Sequence, residues 1–185
     1  MKALAAARPL TQPDERRTAA TVLVIGTGAA GLRAAIELAE SGVQVLCVGK
    51  RRRDDAHTVL ASGGISAALA TMDPEDSWEQ HAADTLRESY WLADPRAVEL
   101  LCRRAPDAIE DLVRYGAQFA REDDGRLTQR YFGAHRWRRT CFAGDYTGRE
   151  IQRTLVRRAA EVGGAIREDV YVTRLLVHGG RVFGA

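Results

Sequence analysis

Residues 21–50 read TVLVIGTGAAGLRAAIELAESGVQVLCVGK, and the fold turns on this stretch. Val22 to Ile25 is a short apolar run of the kind that forms a buried parallel strand. Gly26, Gly28 and Gly31 follow in G-x-G-x-x-G register. Leu32, Ile36, Leu38 and Ala39 then place an apolar stripe at helical spacing, Ser41-Gly42 ends the helix, and Val43 to Val48 is a second apolar strand. Strand, glycine turn, helix and strand make one βαβ unit. Gly26 lets the chain turn off the strand, Gly28 bares backbone to a pyrophosphate, and Gly31 lets the helix sit close to the strand. The helix N-terminus offers free N–H groups and the positive end of a dipole to phosphate charge. With a strand before it and a helix and strand after it, the motif reads as a dinucleotide site rather than a plain glycine-rich turn. The second strand lacks the Asp or Glu that usually holds a ribose hydroxyl. It ends Val48-Gly49-Lys50, and the next carboxylate is Asp54. On the motif alone this weakens an NAD reading and leaves the choice of dinucleotide open.

The 185 residues suit one domain, with a balance of 45% hydrophobic and 28% charged residues that fits a globular chain. A net charge of +2 is too small to imply a nucleic-acid partner. No apolar run approaches the ~18 residues of a membrane span. Cys47, Cys102 and Cys141 form no C-x-x-C pair, which argues against a disulfide scaffold or a zinc site and for no metal. Cys47 falls in a core strand as a buried thiol. Residues 1–20 lack periodicity and an apolar h-region, and read as a flexible leader rather than a secretory signal.

Beyond Lys50, Arg51 to Asp55 read equally well as a solvated loop or as arginines reaching phosphate oxygens. Gly63-Gly64 precede a short apolar run, Ile65 to Leu69, which reads as a close-approach turn into a helix. Residues 73–116 read as a helical insertion: Ser77 caps a helix to about Ser89, Asp94-Pro95 starts another, Pro106 breaks or kinks it, and Gly116 ends it. Trp78, Tyr90 and Trp91 are read as packing residues. Residues 117–146 look irregular, with extended pieces at 118–120 and 127–132. His135, Arg136, Arg138 and Arg139 are read as a solvated face, with an anion site or docking surface as the alternative. Thr147 to Val162 reads as a helix, Ala165 to Arg167 as a third parallel strand, and residues 170–178 and 181–185 as a hairpin about Gly179-Gly180. The fold class is therefore α/β: a Rossmann-like domain with a parallel sheet, a helical insertion and an antiparallel hairpin. Such folds ordinarily have a second half, so residues 21–185 are expected to be the N-terminal part of a longer dinucleotide-binding domain.

The runs GTGAAG, VGK and HTVLASGGI resemble the flavoprotein subunits of succinate dehydrogenase and fumarate reductase, a superfamily that also holds L-aspartate oxidase. The likeness continues through EDSWEQHAADTL, LADPRAVELLCRRAPDAIEDLVRYGAQFAREDDGRLTQRYFG and RRTCFAGDYTGREI, nearly all the chain after the leader. It implies FAD as cofactor, with no separate nicotinamide site, and hydride transfer between a C4 dicarboxylate and flavin N5. By the family pattern, Gly26, Gly28, Ala29, Ala30 and Gly31 would face the pyrophosphate, Gly49 and Lys50 the adenosine ribose, and Thr58, Ala61, Ser62, Gly63 and Gly64 the flavin. Ser62 stands where the family often has Gln. His57 matches the histidine that bonds to the flavin 8α carbon, although the usual preceding Ser is Ala56. The proton-shuttling arginine and the carboxylate-binding residues of the family lie in a capping domain and later segments, so no catalytic residue falls within these 185.

The resemblance also implies iron–sulfur and membrane-anchor subunits as partners, and a cytoplasmic place at the inner face of the membrane. Thr147-Gly148-Arg149-Glu150 is similar to the T-G-R-E run of aspartate oxidases, whereas His57 and the run Asp124-Gly125-Arg126 point to the dehydrogenases. Oxidation of L-aspartate to iminoaspartate stays open as an alternative, as does a noncatalytic FAD-binding module.

Overall fold

The structure, a computed structural model, describes residues 19–185. The expected leader therefore lies almost wholly outside the described residues. Strand β1 (Val22–Ile25), helix α1 (Ala29–Glu40) and strand β2 (Val45–Val48) form the βαβ unit in the parallel register Val22↔Val45 to Ile25↔Val48. The later strand β6 (Ala165–Arg167) joins the other side of β2, giving the sheet order β1-β2-β6.

That order corrects the expectation of a buried first strand. The central strand β2 is buried at all four positions, while β1 is an edge strand and Ile25 is 52% exposed. Apolar runs look alike at the centre and the edge of a sheet; the neighbours decide their burial. The second strand is also shorter than expected. Val43 donates its N–H to the Leu38 carbonyl, which closes the end of α1 and leaves pairing to begin at Val45.

Helix α4 (Thr147–Glu161) lies against α1, and together they bury the core of Leu32, Ile36, Leu155 and Ala159. Ile109, Leu112 and Phe119 extend that core to the insertion. Helix α2 (Trp78–Glu88) is capped by Ser77, whose Oγ accepts from the Gln80 N–H. Helix α3 (Pro95–Arg114) is capped by Asp94 and has Pro95 in its first turn. Pro106 neither breaks nor ends α3. Cys102, Ile109 and Leu112 are buried around it, and that burial outweighs the one backbone bond a proline removes.

Tyr90 and Trp91 do not pack as expected. They occupy left-handed backbone at φ 51° and 63° and are 84% and 73% exposed. The Trp91 N–H closes the turn on the Leu86 carbonyl, which carries both rings outward.

Gly63-Gly64 lead into a strand, not a helix. Strand β3 (Ile65–Ser66) pairs antiparallel with β5 (Thr140–Cys141), which also pairs with β4 (Gln129–Arg130). Strands β7 (Leu176–His178) and β8 (Arg181–Gly184) make the expected hairpin, although residues 170–175 stay outside its ladder. Among the described residues no helix is long and apolar enough to cross a membrane. All three cysteines are buried free thiols, and burial pushes the Cys141 thiol up to about 11.

Candidate functional site: a cleft at the carboxyl ends of the parallel strands

A cleft of about 610 Å³ opens where β1 and β2 end and where the chain returns after β6. Ile25, Gly26, Thr27 and Gly28 form one wall, Val48 to Arg52 the second, and Asp55 to Thr58 the third. Val170, Tyr171 and Val172 close the far side. This is the position that open parallel sheets offer to ligands.

The local backbone explains the glycines. A Cβ on Gly31 would overlap the Gly26 carbonyl, so α1 approaches β1 only with glycine there. A Cβ on Gly49 would overlap the Thr27 side chain, which is itself buried. The missing carboxylate at the end of β2 thus has a steric cause. The Thr27 side chain fills the space where a side chain at position 49 would begin.

The start of α1 has no side-chain cap of its own. Thr58, from the loop after β2, supplies one: its Oγ1 accepts the Ala29 N–H at 3.0 Å. The N–H groups of Ala30 and Gly31 keep no intrahelical acceptor, and no carboxylate stands in the first turn. A helix end with unpaired N–H groups and a positive dipole fits an anionic phosphate. The residues present therefore suit a dinucleotide pyrophosphate.

The loop carrying Thr58 is held from behind. Gly148, at the start of α4, donates its N–H to the Ala61 carbonyl at 2.7 Å, and Gln152 donates from Nε2 to the Thr27 carbonyl at 2.7 Å. One helix thereby fixes both the glycine turn and the loop that faces it.

Of the residues expected at the site, Gly26, Gly28, Gly49, Lys50, His57 and Thr58 line this cleft. Ala29, Ala30 and Gly31 form the helix start behind it. His57 is exposed on a 3-10 turn spanning His57–Leu60. Ala61, Ser62, Gly63 and Gly64 lie further along the same strand of chain, outside this cleft, with the Phe132 ring against Gly63. Of the arginines read two ways, Arg51 and Arg52 line the cleft, while Arg53 turns away to pair with Glu168 at 2.6 Å.

Sequence reading missed Thr27, Asp55 and Val170 to Val172. The last three had one available signal, since they follow the third parallel strand, whose carboxyl end must share the ligand crevice.

The arginine cluster of residues 136–139 is a solvated face only in part: Arg136 is exposed and Arg138 half-buried, but Arg139 is not at the surface. Arg139 is fully buried and joins two aspartates, with Nη2 and Nε on Asp76 at 2.7 and 3.1 Å and Nη1 on Asp84 at 2.8 Å. Arg138 pairs with Asp73 in the same way nearer the surface, which holds the Asp73 carboxyl below its usual range. Burial pushes the Asp84 carboxyl up, but bonds from Arg139, Gln80 and the Arg136 N–H outweigh this and hold it low. His81 and His135 meet edge to face with ring centroids 5.5 Å apart. Burial, then the charge of Arg139, lowers His81 to about 4. The Nδ1 atoms of both histidines are buried without partners. This cluster joins α2 to β5 and does not reach the cleft.

The FAD binding domain model matches residues 21–185. A fumarate reductase (CoM/CoB) chain of Methanothermobacter marburgensis is 43% identical over 169 residues, 89% of this chain and 30% of that protein. The succinate dehydrogenase flavoprotein subunit of Rickettsia bellii is 40% identical over 171 residues, 88% of this chain and 28% of that one. In three dimensions, the Mycobacterium smegmatis Sdh1 complex in the apo form superposes with a TM-score of 0.81 at 39% identity, over 86% of this chain and 29% of that chain. An E. coli quinol fumarate reductase FrdA variant gives 0.82 at 31% identity, over 88% and 28%. The chain thus spans under a third of the length of these relatives. A family match over all but the first 20 residues, on a glycine-lined crevice at the ends of three parallel strands, places the chain in the FAD-binding domain family.

Proposed function

We propose that the chain is the N-terminal FAD-binding portion of a C4-dicarboxylate oxidoreductase of the succinate dehydrogenase and fumarate reductase type. The observation that carries this reading is the cleft itself, where the bare backbone of Gly26, Gly28 and Gly49 shares one crevice with His57 and Thr58, at the start of a helix whose only side-chain cap comes from Thr58. In this reading the N–H groups of Ala30 and Gly31 hold the pyrophosphate, and Gly26 and Gly28 let it lie against the main chain. Gly49 and Lys50 border the adenosine ribose, with Lys50 adding a positive charge. Thr58 orients the helix start through the Ala29 N–H. Ala61 to Gly64 continue the wall along the flavin. Bound FAD supplies two-electron chemistry; the chain supplies position and charge.

His57 stands exposed on the third wall and would hold FAD covalently there, a bond from its imidazole nitrogen replacing one C–H bond of the 8α methyl group while the two electrons released pass to the flavin ring. Acid-precipitated protein loaded with FAD should stay yellow, and His57→Ala should give a colourless pellet while still binding FAD reversibly. A colourless wild-type pellet sinks the bond. Failure of the wild-type chain to quench FAD fluorescence sinks the cleft assignment itself.

In this reading the residues of this chain hold the cofactor and none of them is assigned to the reacting acid, and the relatives' names as subunits support a role within a larger assembly. The run Thr147-Gly148-Arg149-Glu150 favours L-aspartate as a second substrate reading. Turnover of L-aspartate in place of succinate by the enzyme containing this chain would decide for it.

A further inference from the structure

Arg149, Arg153 and Arg157 stand four residues apart on α4 and so share one face, spread over roughly 12 Å of helix. All three are exposed. On one side of the row they border, with Arg53, a cleft of about 630 Å³ that includes Val59 and Val156. On the other side Arg149 and Arg153 border a second open cleft, of about 430 Å³, that includes Phe119 and Tyr146.

Carboxylates answer only part of this charge. Glu168 pairs with Arg53, Glu150 lies 3.0 Å from Arg153, and Glu161 lies 3.7 Å from Arg157. Among the described residues Arg149 pairs with no carboxylate, and its guanidinium sits 5.2 Å over the Tyr146 ring. Gln152, 2% exposed at the inner wall of the first cleft, gives Nε2 to Thr27, which leaves its buried Oε1 without a partner.

We propose that this arginine row is a docking surface for an extended acidic segment of a partner chain, with apolar side chains between its carboxylates. The shape selects the class. A compact anion reaches one or two guanidiniums, whereas an extended chain crossing the row meets all of them. With its carboxylates turned to the arginines, the alternate apolar side chains point to the other side of the segment and fall into one flanking cleft, the one that includes Val59 and Val156. Each carboxylate can take a forked arginine contact, and a backbone N–H of the segment would supply the donor that Gln152 Oε1 lacks. Arg53, Asp54 and Val59 turn toward this face while residues 55–58 line the nucleotide cleft, so the two sites occupy opposite sides of one loop. The proposal does not depend on the FAD reading.

The test is fluorescence anisotropy on the full chain with a labelled peptide alternating glutamate and leucine, against a lysine–leucine control, at low and high salt. The glutamate peptide should bind at low salt, weaken as salt rises, and lose at least tenfold in affinity in R149E/R153E. Charge reversal on α3, R103E/R104E, should leave binding unchanged. Arg149→Gln, which breaks no ion pair, should weaken binding about threefold and decides the matter if the double variant does not fold. Equal binding of both peptides, or unchanged affinity in Arg149→Gln and the double variant, overturns the proposal. So does displacement of the peptide by equimolar pyrophosphate or by a thymidine oligonucleotide, which would mark a small-anion or nucleic-acid site instead.

Discussion

In the nucleotide cleft the bare backbone of Gly26, Gly28 and Gly49 stands among open charged side chains, Lys50, Arg51, Arg52 and Asp55, the lining drawn from residues 25–58 with one late return at 170–172. In the Asp76–Arg139–Asp84 cluster they are charged side chains 63 and 55 positions apart, all fully removed from water. The first region is made by what the side chains leave open. The second is made by what they fill. An open crevice tolerates replacements that keep the backbone bare, whereas a buried charge tolerates no loss of its partner.

The largest expected effect tests that contrast directly. Arg139→Met leaves Asp76 and Asp84 buried without a cation and should cost about 3–5 kcal/mol in denaturant unfolding. FAD affinity of the folded fraction should barely change, because the cluster does not touch the cleft. A loss under ~1 kcal/mol would show that the aspartates rehydrate and that the cluster is less closed than its burial indicates.

Acid probes the same cluster through His81. Its pKa is about 4 in the fold and about 6.5 unfolded, so the unfolded chain binds the proton between these values. Stability should fall as pH drops from about 6.5 to about 4, by roughly 3 kcal/mol, and this contribution should flatten below that. Thermal melts across this window check it. The His81→Leu variant should lose that part of the slope, leaving the part from His135, whose pKa burial also lowers, and the further acid loss from Asp73 and Asp84, whose lowered pKa values place it lower still.

In the cleft the order of effects reverses, with binding more sensitive than stability. Gly31→Ala forces α1 away from the Gly26 carbonyl and should cost about 1–3 kcal/mol in unfolding. It should lower FAD affinity more than tenfold, read by fluorescence titration, because the helix start moves. Equal FAD affinity in the variant would detach the helix start from the ligand. The smallest effect is expected for Thr58→Val, which removes the acceptor for the Ala29 N–H. Unfolding should shift by about 1 kcal/mol and FAD affinity by less than tenfold.

The βαβ unit was legible because its signals are local: apolar runs, three glycines in register and a helix stop within 30 residues. The caps at Ser77 and Asp94 were legible for the same reason. At Pro106 the expected alternatives are a break or a kink, and α3 running through it excludes the break; propensity prices one lost bond and cannot see the buried residues around it. Tyr90 and Trp91 were misread because aromatic character suggests burial while the turn geometry sets direction. Gly63-Gly64 look like a helix entry, yet the partner that makes Ile65–Ser66 a strand lies 74 residues later, at Thr140.

The sequence by itself determined that a dinucleotide crevice exists and which glycines shape it, since a tight turn and a close helix are consequences of having no Cβ. Only the tertiary structure decided that Thr58 caps α1, that Gly49 yields its space to Thr27, and that Arg139 is a core residue rather than a surface charge. The physical reason is common to all three. Each depends on a group brought from elsewhere in the chain, and a side chain's charge or size says nothing of its partner until the fold supplies one.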